Sequence, residues 1–219
     1  MPEITPTRRT VIRTAAWSVP AVTVAAAAPA FATSPPGGEV TYQTLTKTFR
    51  FNPVILGNVN TDPANIVVVN VTATVPLEVP RGATAAPVQT ESTVTIPAGL
   101  AGILGGLILG NPATVEGTSV STTTLSGAYS GESITNLTIP RTPFTNGSAL
   151  SLTASGSGAE GLTIPAGNPT GAVTLTLDPP QSQLQGRNAA GNPTNPTPYA
   201  SQLSPIATED YTLGTFTIV

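Results

Sequence analysis

The chain has 219 residues, with no cysteine and no histidine. After Ala32 only Lys47, Arg50, Arg81, Arg141 and Arg187 are basic, against ten acids, which leaves a net charge of −5. These counts exclude a disulfide framework, remove the commonest general base and transition-metal ligand, and leave no basic stripe for a phosphate backbone, so no nucleic-acid partner is expected.

The N-terminus reads Thr7-Arg8-Arg9-Thr10-Val11-Ile12-Arg13. It resembles the twin-arginine export motif, with Arg8 and Arg9 as the pair, two apolar residues after one spacer, and a base at Arg13. The stretch Thr14–Ala28 is apolar but diluted by alanine, and Pro20 and Pro29 interrupt a helix there. Ala30 and Ala32 supply the small residues of an A-x-A cleavage site, placing the cut before Thr33. A short membrane anchor or a core helix is the competing reading; the segment is too short and alanine-rich to anchor, and the two prolines oppose the helix. Residues 1–32 are therefore expected to be a cleavable twin-arginine-type signal peptide. The mature 187 residues would be secreted or held in the cell envelope, outside the cytoplasm.

Residues 33–39 read as a flexible leader, and a single domain is expected over residues 40–219. It opens with period-2 alternation. In Val40–Phe51, Leu45, Phe49 and Phe51 share one face, and Thr44, Thr46, Thr48 and Arg50 the other. In Ile66–Val75, Val67, Val69, Val71, Ala73 and Val75 oppose Asn70, Thr72 and Thr74. A half-buried antiparallel strand needs this pattern. Similar runs lie at Ser92–Ile96, Ala113–Leu125, Ile134–Ile139, Ala149–Ser155, Gly171–Leu177 and Tyr211–Ile218, where the parity change at Gly214 predicts a bulge. Turn signals such as Asn146-Gly147 and Ala166-Gly167-Asn168-Pro169 separate them. An all-β, immunoglobulin-like antiparallel sandwich of about seven to nine strands is the expected fold.

Two stretches break the alternation. Residues 99–110, GLAGILGGLILG, are wholly apolar with five glycines and too short to span a bilayer. They read as a short helix or apolar crossover covering one open end of the sandwich, packed through Leu104, Leu107 and Leu109, with an exposed loop that docks on a partner or lipid as the alternative. Residues 179–210, rich in Pro, Gln and Asn, read as a long surface loop. No apolar run after the signal is long enough for a stable membrane span, and neither a sortase motif nor an apolar tail follows the last strand, so no anchor is expected.

The runs Ala113–Ser119 (ATVEGTS), Asn136–Gly158 (NLTIPRTPFTNGSALSLTASGSG) and Gly171–Leu177 (GAVTLTL), behind such a signal, resemble an uncharacterised family of exported β-sandwich proteins from actinobacteria. That resemblance implies an immunoglobulin-like fold and an extracytoplasmic place, with no known activity.

Catalytic candidates are few. Gly156-x-Gly158-x-x-Gly161 matches a dinucleotide fingerprint in letters, but strand-like Leu162-Thr163-Ile164-Pro165 follows where a helix is required. Lys47, the one lysine of the mature chain, is the sole base for a Ser–Lys dyad and sits on an alternating strand face. Glu116 and Glu132 are the acids to inspect for a glycosidase pair, with solvated turn positions the plainer reading. Glu209-Asp210 is the only adjacent acidic pair, and no calcium-loop pattern occurs. Asn70, Asn136 and Asn146 open glycosylation sequons that a Thr-rich chain produces by chance. Thr-x-Thr steps at Thr44/Thr46/Thr48, Thr93/Thr95 and Thr174/Thr176 could order water on a flat face, although β-propensity accounts for them equally. No catalytic residue, cofactor or metal ligand is therefore assigned. The expected function is a structural or adhesive module whose partner is cell-wall polymer or the protein itself. The alternatives are a carboxylate-based envelope polysaccharide hydrolase and a subunit that assembles by strand augmentation through an unpaired last strand.

Overall fold

The alternating segments become strands, and most run past their apolar cores. The computed structural model describes residues 38–219. The export signal, with Arg8, Arg9, Ala30 and Ala32, and residues 33–37 of the leader lie outside the described residues. In chain order the elements are β1 (Thr41–Ile55), the two-residue β2 (Asn58–Val59), β3 (Val67–Val79), β4 (Gln89–Ile96), α1 (Ala98–Ile103), β5 (Thr114–Gly127), β6 (Gly131–Pro143), β7 (Leu150–Gly158), β8 (Gly171–Leu177), β9 (Gln181–Arg187), β10 (Tyr199–Pro205) and β11 (Thr212–Ile218).

Neighbours pair antiparallel in the order β1-β3-β4-β7-β6-β5-β9-β10, and β10 pairs with β1 again, closing an eight-stranded barrel. The expected immunoglobulin-like sandwich is thereby overturned. Alternation specifies that one strand face is buried, and a closed barrel buries one face as well as two stacked sheets do. What decides closure is that long strands change partner along their length. β1 runs 15 residues, pairing with β3 over Thr41–Phe51 and with β10 over Phe51–Val54. β5 takes β9 against Thr114–Val120 and β8 against Thr123–Gly127.

The segment 179–210 is the second correction: it contains β9 and β10, two of the barrel's staves. β8 and β9 follow one line along β5, interrupted at Asp178-Pro179-Pro180, where prolines cannot donate to the ladder. Asp178 bridges the break: its N–H donates to the Thr122 carbonyl at 3.0 Å and its carboxylate accepts from the Thr124 hydroxyl at 2.9 Å. The partner line breaks between β10 and β11. Beyond that break β11 pairs with β8, joins β3 in parallel at Thr217 and Ile218, and lies against the inward side of β1. Its register shifts at Gly214 as the sequence implies, and Gly214 is required there because Leu45 occupies the space a Cβ would take. Tyr211 pins the break. Its ring stacks on Phe51 at 4.9 Å and Phe49 at 6.0 Å, while its hydroxyl donates to the Arg50 carbonyl and accepts from the Ile206 N–H.

Both barrel ends are stoppered. At one, residues 83–85 and 162–164 exchange backbone hydrogen bonds around fully buried Ile164. At the other, α1 and a single π-helical turn, Leu104–Ile108, carry the chain from β4 to β5. The Leu109 N–H reaches back to the Leu104 carbonyl at 2.8 Å, and Gly105 leaves room for the Phe144 ring, which a Cβ would strike. The Thr194 hydroxyl and the Asn195 amide donate to the carbonyls of Leu109 and Ile108, satisfying acceptors that a helix end leaves unpaired. The apolar crossover is thus packed, with Leu104 and Leu109 buried. Leu107 corrects the expectation: it is 81% exposed, because the wider π turn rotates it away from the barrel mouth.

Candidate functional site

Strand register turns the Thr-x-Thr steps into rows. On the outer face Thr46, Thr72, Glu91, Ser155, Thr138, Thr118 and Gln183 stand opposite one another in sequence across seven strands. A second row runs Thr44, Thr74, Gln89, Ser157, Asn136, Val120 and Gln181. Between them lies a surface groove of about 440 Å³, bordered by Thr72, Thr74, Gln89, Glu91, Ser155 and Ser157. The Thr46 and Thr72 hydroxyls share a 3.1 Å hydrogen bond, and the Thr48 hydroxyl donates to the Asn70 side chain at 2.6 Å. The threonines are β-branched and restricted at χ1, while Gln89 and Glu91 border the groove with longer, freer side chains. The face presents hydroxyls and amides with one carboxylate in the groove, a donor-and-acceptor surface suited to polyhydroxylated ligands.

The acids singled out from sequence do not form a catalytic pair. Glu116 bulges from β5 and accepts from Arg141 at 2.9 Å and Arg187 at 2.5 Å. Hydrogen bonds from these two guanidiniums, Arg141's first, hold its carboxyl below the usual glutamate range, so it cannot carry a proton to a leaving group near neutral pH. Glu132 is exposed at the start of β6, opposite Thr124. At about 3.3 Å per residue, the eight positions from Glu116 to Thr124 separate the two acids by roughly 26 Å. A glycosidase pair spans only about 5–10 Å.

Glu116→Gln is expected to cost about 1 kcal/mol at neutral pH, since it replaces a partly exposed two-arginine network by a neutral acceptor. Because the folded carboxyl titrates lower than the unfolded one, this contribution is complete above the ordinary glutamate range and disappears as pH falls through the lowered folded value. Denaturant midpoints of the two proteins measured from pH 7 downward should therefore converge in acid.

The remaining candidates have structural partners. Lys47 is exposed between Leu45 and Phe49, with its charge near Asp210. The Asp210 carboxylate caps a turn by accepting from the Thr212 N–H at 2.9 Å, a bond that lowers its pKa. Gly156 and Gly158 lie within β7, and Gly161 leads into the 162–164 stopper with no helix after it. The last strand, β11, pairs along its length with β8 on one edge and with β3 at Thr217 and Ile218 on the other. Among the described residues no three His, Cys, Asp or Glu side chains group as a metal site would need, and no helix is long and apolar enough to cross a membrane.

Sequence reasoning missed the barrel interior. Under the α1 and π-turn cap lies a cavity of about 70 Å³, walled by Val67, Val69, Leu137 and Leu152 and roofed by Leu100 and Leu104. Its only sequence signal was small hydroxyls at inward positions, such as Ser119 and Ser121, where alternation would place valine or leucine.

Residues 53–204 match the model of a family of unknown function, DUF6801. No curated protein and no solved structure matches the chain.

Proposed function

For this chain, which belongs to the DUF6801 family of unknown function, we propose a non-catalytic module of the cell envelope or secreted fraction that holds envelope polysaccharide against its hydroxyl face. The observation that carries this reading is the pair of in-register outer rows flanking the groove at Glu91 and Ser155. A polysaccharide offers many weak donors and acceptors in repeat, and χ1-restricted threonine hydroxyls meet them at a low ordering cost. The placement of the two acids singled out from sequence supports binding without turnover, since Glu116 is held by two arginines and lies roughly 26 Å from Glu132, well beyond the span of a glycosidase pair. The export signal supports the place, with Arg8 and Arg9 as the residues a receptor reads and Ala30 and Ala32 as those a peptidase reads.

The test is sedimentation of the protein with insoluble cell-wall polymer. The expected result is co-sedimentation without release of soluble fragments, weakened about tenfold by Thr72→Arg with Ser155→Arg, which fill the groove from its two sides. Fragment release would replace the reading by the hydrolase, and concentration-dependent oligomers without polymer binding would replace it by self-association. For location, Arg8→Lys with Arg9→Lys keeps the charge but removes the guanidinium planes. The double variant should stay in the cytoplasm.

A further inference from the structure

The cavity inside the barrel has two unlike walls. The β3, β4, β6 and β7 side is mainly aliphatic, through Val67, Val69, Val94, Leu137 and Leu152, with buried Ser92 as its one hydroxyl. The β5, β9 and β10 side carries Ser119, Ser182 and Ser201, which stand opposite one another across three neighbouring strands. The Ser182 hydroxyl donates to that of Ser119 at 2.9 Å, and Ser119 donates to the Gln181 carbonyl at 3.2 Å. Exposure increases along this row: Ser119 is buried, while Ser182 and Ser201 are half-buried. It leads toward a rim formed by Val54, Ile55, Ile108, Tyr199 and Leu203, all half-buried, with exposed Gln202 beside them. No Asp, Glu, Lys or Arg lines the space.

We propose that this cavity is a binding site for one alkyl chain of a neutral amphiphile, its tail against the aliphatic wall under the cap and its uncharged polar head along the serine row at the rim. The volume sets the chain length. A cavity of about 150 Å³ takes one six-carbon ring, so a space of about 70 Å³ holds an aliphatic segment of about three carbons. The head must be uncharged because an ionised carboxylate, phosphate or ammonium would enter a low-dielectric space with no counter-charge. An alcohol, an ester or a sugar is satisfied by the hydroxyls of Ser119, Ser182 and Ser201, which both donate and accept. Such sites combine a mostly apolar lining with a few convergent polar groups, and this one has both. The site is separate from the outer hydroxyl face and does not depend on its role.

Calorimetric titration of the full chain with n-alkyl β-glucosides of one to eight carbons, each kept below its micelle concentration, tests it. Affinity should rise about fourfold per added methylene up to about three carbons and then level off. The sodium carboxylates of equal chain length should bind at least tenfold more weakly. Ser182→Val should weaken every glucoside about equally and leave the chain-length slope intact, whereas Ala154→Leu, which fills the cavity from β7, should abolish binding. If Ala154→Leu fails to fold, the wild-type chain-length break and the Ser182→Val series decide. An unbroken rise through eight carbons, equal or tighter carboxylate binding, or no binding at any length overturns the proposal.

Discussion

Leu109→Asp should lower the stability of the folded chain by about 3–5 kcal/mol, while Leu107→Asp, two residues earlier, should change it by no more than about 0.5 kcal/mol. The two leucines belong to the same glycine-rich run and are indistinguishable by hydropathy. Leu109 is 1% exposed and its carbonyl is held by the Thr194 hydroxyl, so an aspartate there must either ionise in the core or take up a proton to avoid doing so. Leu107, at 81% exposure, loses nothing on becoming polar. For a domain of this size the first change corresponds to a fall in Tm of roughly 10 °C. Thermal unfolding of both variants, followed by circular dichroism, decides it. Equal and large losses would mean the π turn buries Leu107 after all, and two silent variants would mean the crossover does not seal the barrel.

Tyr211→Ala should cost about 3 kcal/mol and Tyr211→Phe about 1–2 kcal/mol, because the side chain joins two separable contributions. Its ring covers Phe49 and Phe51, both essentially inaccessible, and truncation to alanine would open them to water at the point where β11 leaves the line of β10. Its hydroxyl links the Arg50 carbonyl at 2.8 Å to the Ile206 N–H at 2.7 Å, tying the first long strand to the last turn. Phenylalanine keeps the stacking and loses only this link. Urea midpoints of the two variants separate the contributions. A phenylalanine variant as unstable as the alanine one would place nearly all of the effect in the hydrogen bonds.

Much of the candidate site could be read locally, and its arrangement could not. The parity of Thr44, Thr46 and Thr48 against Leu45 and Phe49 already assigns those threonines to the polar face. That Thr46 continues through Thr72, Glu91 and Ser155 to Gln183 depends on register between strands up to 137 positions apart. Residues 181–187 escaped notice because a stave flanked by neighbours that bury it needs few apolar residues of its own: only Leu184 in QSQLQGR is apolar, and Leu184 is 3% exposed. The cavity was hidden for the same reason, since two members of its serine row, Ser182 and Ser201, lie in the segment read as loop.

The sequence by itself determined that the chain is β-structured, which face of each strongly alternating strand turns inward, where β11 bulges, and that residues 99–110 interrupt the sheet. Each follows from side-chain chemistry within a few residues: period-2 hydrophobicity, a glycine where parity changes, an apolar run too rich in glycine to be a strand. Tertiary structure alone decided that the sheet closes on itself, that Leu107 faces solvent while Leu109 does not, and that Glu116 is bound by two arginines instead of facing Glu132. Those outcomes depend on which distant strands pair and on the twist accumulated around the barrel, and neither is encoded in any single segment, because alternation is satisfied equally by every architecture that buries one face.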